Sequence, residues 1–314
     1  MSGKLQHKVV NAALAALLPP VLMLAGFLTD GGARRLAGFL AFCVSVLYRP
    51  GMRLVRANLQ VAFRDKGEAE IRALARENVF NMSWNWIDFL RILRRPEAVE
   101  RLVAEVELPE PMPRQFLLCL PHLGSWELLA QFIPKLVGRC AAVAESFPYP
   151  VVNRVLDRSR SLNGLEIIPR SGAVKGVVAA IRKGCSIGML IDQNLSPRHG
   201  GVFVEFCGLP VPTSPLPAIM SIRYGLPLLS GACIRLKDGR FKLAARMIDG
   251  GGEGDPAALT QAILMSNERL IREHPEQYTW LYRRWLYIPS DADDGTAGLF
   301  PYYAVRKKYS AGAK

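Results

Sequence analysis

Phe116-Leu-Leu-Cys-Leu-Pro-His122-Leu-Gly-Ser-Trp-Glu127-Leu-Leu-Ala130 is the stretch on which the fold turns. Residues 116–120 form a short, unbroken apolar run, the pattern of a strand buried on both faces rather than one. Pro121 ends the run. Ser125 then occupies a helix N-cap position, and Glu127 in the first turn complements the helix dipole. The segment therefore reads as strand, tight turn, helix. Open α/β sheets place their ligands at that junction, outside the carboxyl ends of the strands. His122 stands in the turn, with an acid five residues later. A neutral imidazole there can take a proton from a hydroxyl, while a carboxylate orients the ring and stabilises the imidazolium.

The same alternation continues outward. Strands are expected at 140–144, 165–168 and 186–191, with a helix over 173–183. An antiparallel pair at 228–236 and 241–248 turns at Lys237-Asp-Gly-Arg240, and 256–274 returns to helical spacing. Upstream, residues 68–94 read as one long amphipathic helix, in which core packing is favoured over a membrane interface for Trp84 and Trp86. The fold class is α/β: a mixed, mainly parallel sheet flanked by helices. A length of 314 residues suits two domains or one large one.

Val9–Leu28 contains no charged residue and is long enough, as a helix, to cross a hydrocarbon core. A second apolar run, 36–48, follows. No small-residue cleavage site closes the first run, which argues against a removable signal and for an N-terminal membrane anchor. Pro19-Pro20 is expected to kink this helix or make it re-entrant. Lys4, Lys8, Arg34, Arg35, Arg49, Arg53 and Arg56 flank the two runs against Asp30 alone. Such cations favour anionic head groups, each by about 1 kcal/mol near the surface.

The whole chain carries a formal charge of +13, is 50% hydrophobic and is 21% charged. That excludes a disordered chain and points to an anionic partner. The basic residues are dispersed and no nucleic-acid-binding motif is present, so nucleic acid is not the expected partner. The six cysteines form no closely spaced pair, and the histidines are scattered, so neither a disulfide framework nor a metal site is expected. No phosphate-loop or dinucleotide fingerprint occurs, and Gly250-Gly-Gly-Glu-Gly254 lacks the strand and helix a phosphate cradle needs. No cofactor is expected. Gly184-Cys-Ser186-Ile-Gly188 matches the spacing of a serine nucleophile elbow, with His199 or His274 as base. The motif needs a strand before and a helix after, whereas here the order is reversed and Gly184 reads as a helix C-cap.

His-Leu-Gly-Ser-Trp-Glu at 122–127 resembles the HX4(D/E) signature of the lysophospholipid acyltransferase superfamily. More narrowly, the chain resembles the late lauroyl/myristoyl acyltransferases of lipid A biosynthesis. Arg56-Ala-Asn-Leu-Gln-Val-Ala-Phe63, Leu190-Ile-Asp-Gln-Asn194, Gly201-Val-Phe-Val-Glu-Phe-Cys-Gly208 and Pro275-Glu-Gln-Tyr-Thr-Trp-Leu-Tyr-Arg-Arg-Trp285 support it, in that order. One departure is Tyr282, where the family often has a histidine before the arginine pair. The resemblance implies His122 as general base with Glu127 as its partner. It also implies amides near Gly124 and Ser125, or an arginine, as oxyanion donors. Arg160 matches a basic family position, with Arg158 and Arg170 as alternatives, and Asp192 and Asn194 are expected to shape the site or bind the acceptor. The implied donor is an acyl-carrier protein or acyl-CoA, and the implied acceptor is an anionic lipid, foremost a lipid A precursor, with a glycolipid mannoside or lysophospholipid as rivals. Residues 1–50 would be the anchor and basic flank, 51–314 the catalytic domain, on the cytoplasmic face of the inner membrane.

Overall fold

The computed structural model describes residues 3–249 and 254–306; all but the last residue of the Gly250–Gly254 stretch lies outside them. The chain begins with four helices: α1 (Gly3–Phe27), α2 (Asp30–Leu47), α3 (Arg49–Ala62) and α4 (Glu68–Arg94). Pro19 and Pro20 lie inside α1 without interrupting it, contrary to a re-entrant break there. Thr29 caps α2, its hydroxyl accepting from the Gly32 amide at 3.1 Å. On α2, Ala33, Ala37 and Ala41 recur every four residues and are buried. The small side chains of Ala33 and Ala37 let α2 pack closely on Trp84 and Ile87 of α4. The opposite side exposes Phe39 (62%) and Phe42 (66%), and α1 exposes Leu24 and Phe27. Val10–Phe27 is apolar and long enough to cross a membrane. Between α2 and α3 the chain bends by 94°. Gly51 permits that corner, since a Cβ there would lie 2.2 Å from the Tyr48 ring.

After α5 (Ala98–Leu102) the strands are β1 (Val103–Glu107), β2 (Leu117–Leu120), β3 (Cys140–Ala144), β4 (Leu165–Pro169) and β5 (Ser186–Leu190). Between them lie α6 (Trp126–Val137), α7 (Pro150–Ser161) and α8 (Ala173–Arg182). A hairpin of β6 (Val202–Phe206) and β7 (Leu209–Thr213) follows, then α9 (Leu216–Tyr224), β8 (Leu228–Arg235), β9 (Phe241–Met247) and α10 (Pro256–Glu273). The main sheet has seven strands in the order β1-β9-β8-β2-β5-β3-β4. Every pairing is parallel except β8 with β9. This is the mixed, mainly parallel sheet expected. The edge strand β1, the β6–β7 hairpin, α7 and α9 are additions to the expected elements.

Alternation along β2 divides the core. Leu117 and Cys119 pack with Ile187, Met189 and the α10 residues Ile263 and Leu264. Leu118 and Leu120 face the other way, toward Leu128 and Leu129 of α6. Amide side chains then fasten the C-terminal segment across the N-terminal helices. Asn58 Nδ2 donates to the carbonyls of Trp280 (2.6 Å) and Tyr282 (2.7 Å). Asn78 Nδ2 donates to those of Glu276 (3.1 Å) and Tyr278 (2.6 Å). Trp84 is buried, as expected, but Trp86 is 46% exposed.

Candidate active site

Pro121 has no N–H with which to prolong β2, and the chain turns sharply there. Gly124 has φ +64°, and a Cβ on it would lie 1.9 Å from the Cys233 carbonyl oxygen. Only glycine fits both demands, so the turn is pressed onto β8. Its amides are engaged there: Gly124 N donates to Gln277 O (3.0 Å) and Ser125 N to Cys233 O (2.8 Å). Both N–H groups are thus already used, which removes them as the expected oxyanion donors. Ser125 holds the N-cap position of α6 without a side-chain capping bond. Asn85 Nδ2 donates to Gly124 O at 3.0 Å, and the Thr279 amide and hydroxyl donate to His122 O at 2.9 and 3.0 Å.

This fixed turn brings His122 to Asp192. His122 Nδ1 lies 2.6 Å from Asp192 Oδ1, and the His122 amide donates to Oδ2 at 2.8 Å. A carboxylate accepts only, so the proton of a neutral ring sits on Nδ1 and Nε2 keeps its lone pair. Burial lowers the His122 pKa, but the charge and hydrogen bond of Asp192, and the charge of Glu127, outweigh it and raise the value above 6.5. Burial raises the Asp192 pKa, yet His122 and the nearby Arg284 hold it below the ordinary carboxylate value. Burial, and after it the charge of the same carboxylate, pushes the Tyr278 hydroxyl well above its ordinary pKa.

Glu127, the expected partner of His122, is instead held by Arg160. Arg160 Nε donates to Oε2 at 3.0 Å and one Nη to Oε1 at 2.6 Å, a two-point pair between largely buried groups. Burial opposes the Arg160 charge, but the hydrogen bonds and charge of Glu127 raise its pKa above the ordinary value. Of the three arginines left open, Arg160 is the one at Glu127; Arg170 pairs with Glu145, and Arg158 is exposed. Asn194 is clasped rather than free. Its amide donates to Tyr282 Oη (3.0 Å), its Nδ2 to Arg283 O (2.9 Å), and its Oδ1 accepts from Arg284 (3.1 Å). Tyr282, the departure from the expected histidine, therefore anchors the loop after β5.

His122, Glu127 and Arg160 line a cavity of about 950 Å³. Its walls are Leu118 and Leu120 of β2, Ala142 of β3, Gly188 of β5, Leu129 and Ile133 of α6, and Leu156 of α7. Residues 3–287 match the family model described as bacterial lipid A biosynthesis acyltransferase. The chain belongs to that family. It is 28% identical over 174 residues to a phosphatidylinositol mannoside acyltransferase of Mycobacterium tuberculosis, covering 54% of each chain. It is 25% identical over 268 residues to a lipid A biosynthesis palmitoleoyltransferase of Escherichia coli, covering 79% of this chain and 84% of that one. The match thus spans about half the length of the mannoside relatives.

Within this family member the serine-elbow pattern has a plain structural explanation. Gly184, at φ +80°, follows the end of α8, and Ser186 opens β5 with its buried hydroxyl accepting from Phe116 N at 3.3 Å. His199 is exposed at the end of a short 3-10 turn, Pro197–His199, and His274 caps the end of α10. Asp192 as the Nδ1 partner, and Asn85, Gln277, Tyr278 and Thr279 as supports, were not read from the sequence. The available signal for Asp192 was its place two residues past the end of a strand, matching that of His122.

Proposed function

We propose that this chain is a membrane-associated O-acyltransferase that moves a fatty acyl group from a carrier thioester to a hydroxyl of a lipid A precursor. The observation that carries the reading is His122 on the wall of a large, mainly apolar cavity, with a buried carboxylate on Nδ1. The acceptor hydroxyl gives its proton to Nε2 as its oxygen attacks the thioester carbonyl. Asp192 holds the ring and stabilises the imidazolium that forms. The tetrahedral intermediate then collapses, the C–S bond breaks, and the imidazolium proton passes to the departing thiolate. No acyl-enzyme is needed. Arg160 keeps one Nη nitrogen outside its pair with Glu127, and this cation, with the turn amides engaged, is the donor for the developing oxyanion. Glu127 positions Arg160. The acyl chain lies along the apolar wall of the cavity.

The exposed apolar faces of α1 and α2, flanked by cations, suit an anionic membrane, and a thioester donor places the site on the cytoplasmic side of the inner membrane. A charge of +13 complements both an acidic acyl-carrier protein and a phosphorylated acceptor. A second reading, acyl-CoA as donor and a mannoside glycolipid as acceptor, is supported by the mycobacterial relative. The test is acyl transfer in detergent from labelled acyl-carrier protein to an underacylated lipid A precursor, with His122→Ala beside the wild type. Loss of transfer in the variant supports the mechanism. Transfer only from acyl-CoA to a mannoside changes the substrates, and normal transfer by His122→Ala refutes the base.

A further inference from the structure

The imidazole of His122 sits in an aromatic corner that the mechanism above leaves unused. The Trp126 ring lies 5.1 Å from the His122 ring, centroid to centroid, at 74°. Trp86 stands perpendicular to Trp126, with centroids 6.4 Å apart, and Phe89 backs Trp86 edge-on at 6.0 Å. The two indoles come from different elements, α6 for Trp126 and α4 for Trp86, and line the same cavity as His122. Their neighbour Trp84, also on α4, is fully packed and takes the Arg235 guanidinium over its face at 4.1 Å. Among the described residues no cation covers Trp86 in this way, and it is 46% exposed. A large indole left half bare, one aromatic ring removed from the His122 imidazole, is a surface awaiting an occupant.

The corner itself indicates the occupant's chemistry. An indole face carries partial negative charge and attracts polarised C–H groups. The apolar wall of the cavity, with Leu118, Leu120, Leu129, Ile133 and Leu156, takes the acyl chain. What remains, beside the indoles, must bring a hydroxyl to Nε2 while covering a flat aromatic face. A pyranose ring does both: its C–H face lies on the indole, and its hydroxyls radiate from the edge. A glycerol backbone is flexible and has no such face. We infer that Trp86 and Trp126 form the subsite for the sugar ring that carries the acceptor hydroxyl, an inference that rests on the acyl-transfer reading.

The experiment compares wild type, Trp86→Ala and Trp86→Phe as full chains in detergent, with an underacylated lipid A precursor and with lysophosphatidylglycerol as acceptors. Trp86→Ala is expected to raise KM for the sugar lipid about tenfold relative to the glycerol lipid, with Trp86→Phe recovering most of the loss. A relative KM that stays put overturns the subsite. So does an equal rise for both acceptors accompanied by weaker vesicle binding, which would make Trp86 a membrane-interface residue. Quenching of indole fluorescence by the lipid A precursor reads the subsite without turnover, and quenching of undiminished amplitude in Trp86→Ala, where only Trp126 of the pair remains, also overturns it. If wild type is quenched but transfers no acyl group, the acyl-transfer reading fails while the sugar site stands.

Discussion

Replacing Asp192 by asparagine tests the base directly, because it keeps the shape of the side chain and removes its charge. One asparagine oxygen can still accept from the His122 amide, so the turn keeps its 2.8 Å tether. The change falls on the 2.6 Å contact to Nδ1. A hydrogen bond to a charged group is worth about 1.5–3 kcal/mol. In the transition state the ring becomes an imidazolium, and a unit charge about 4 Å away adds up to about 4 kcal/mol at an effective dielectric constant of about 20. Both figures describe one contact and overlap, so the loss is about 3–4 kcal/mol, or roughly a hundredfold to a thousandfold in kcat/KM. The pH profile carries a second signature. The base works only when neutral, so activity rises as pH climbs through the folded-state pKa of His122. Asp192 is the main influence raising that pKa above 6.5. Removing its charge must move the acid limb to lower pH while the plateau falls. The assay is transfer from labelled acyl-carrier protein, with kcat/KM followed across the pH range and folding checked by thermal melting. A folded variant with the wild-type plateau and an unmoved acid limb refutes the His122–Asp192 pairing as the working base.

Gly188 lies on the cavity wall, and a Cβ there meets nothing closer than 3.8 Å. Gly188→Leu should therefore fold and shorten the preferred acyl chain; excluding three methylenes at about 0.8 kcal/mol each lowers kcat/KM for the longest accepted donor by roughly fiftyfold, read from a series of donors of increasing length. Glu127→Gln breaks a largely buried pair and should destabilise the fold by about 3 kcal/mol, seen as a lower denaturant midpoint, with transfer falling as Arg160 loses its position. Ser186→Ala should leave transfer within about twofold of wild type, since it removes one weakly held hydroxyl; complete loss would revive a serine nucleophile.

Much of the fold was legible because buried parallel strands write themselves as continuous apolar runs. Phe116–Leu120, Cys140–Ala144 and Ser186–Leu190 all read that way, and the turn at Lys237–Arg240 marks the antiparallel pair. The edge strand Val103–Glu107 escaped notice because its Val-Ala-Glu-Val-Glu pattern is mixed and half exposed. Helix α7 shows only Leu156 and Ser159 as buried residues, too few for a clear apolar stripe. Trp86 went against the favoured core reading because helical spacing locates a face without revealing whether another element covers it.

Local pattern and backbone chemistry were enough to read the central strands, the long helices, the apolar N-terminal helix and the histidine at a strand-to-helix turn. Which carboxylate serves that histidine was decided only by the tertiary structure. The nearby acid, Glu127, was taken by Arg160, while Asp192 came from 70 residues away. The reason lies in strand order and register. β2 pairs with β5 in parallel, with Leu120 opposite Leu190, so His122 and Asp192, each two residues further on, emerge side by side at the same end of the sheet.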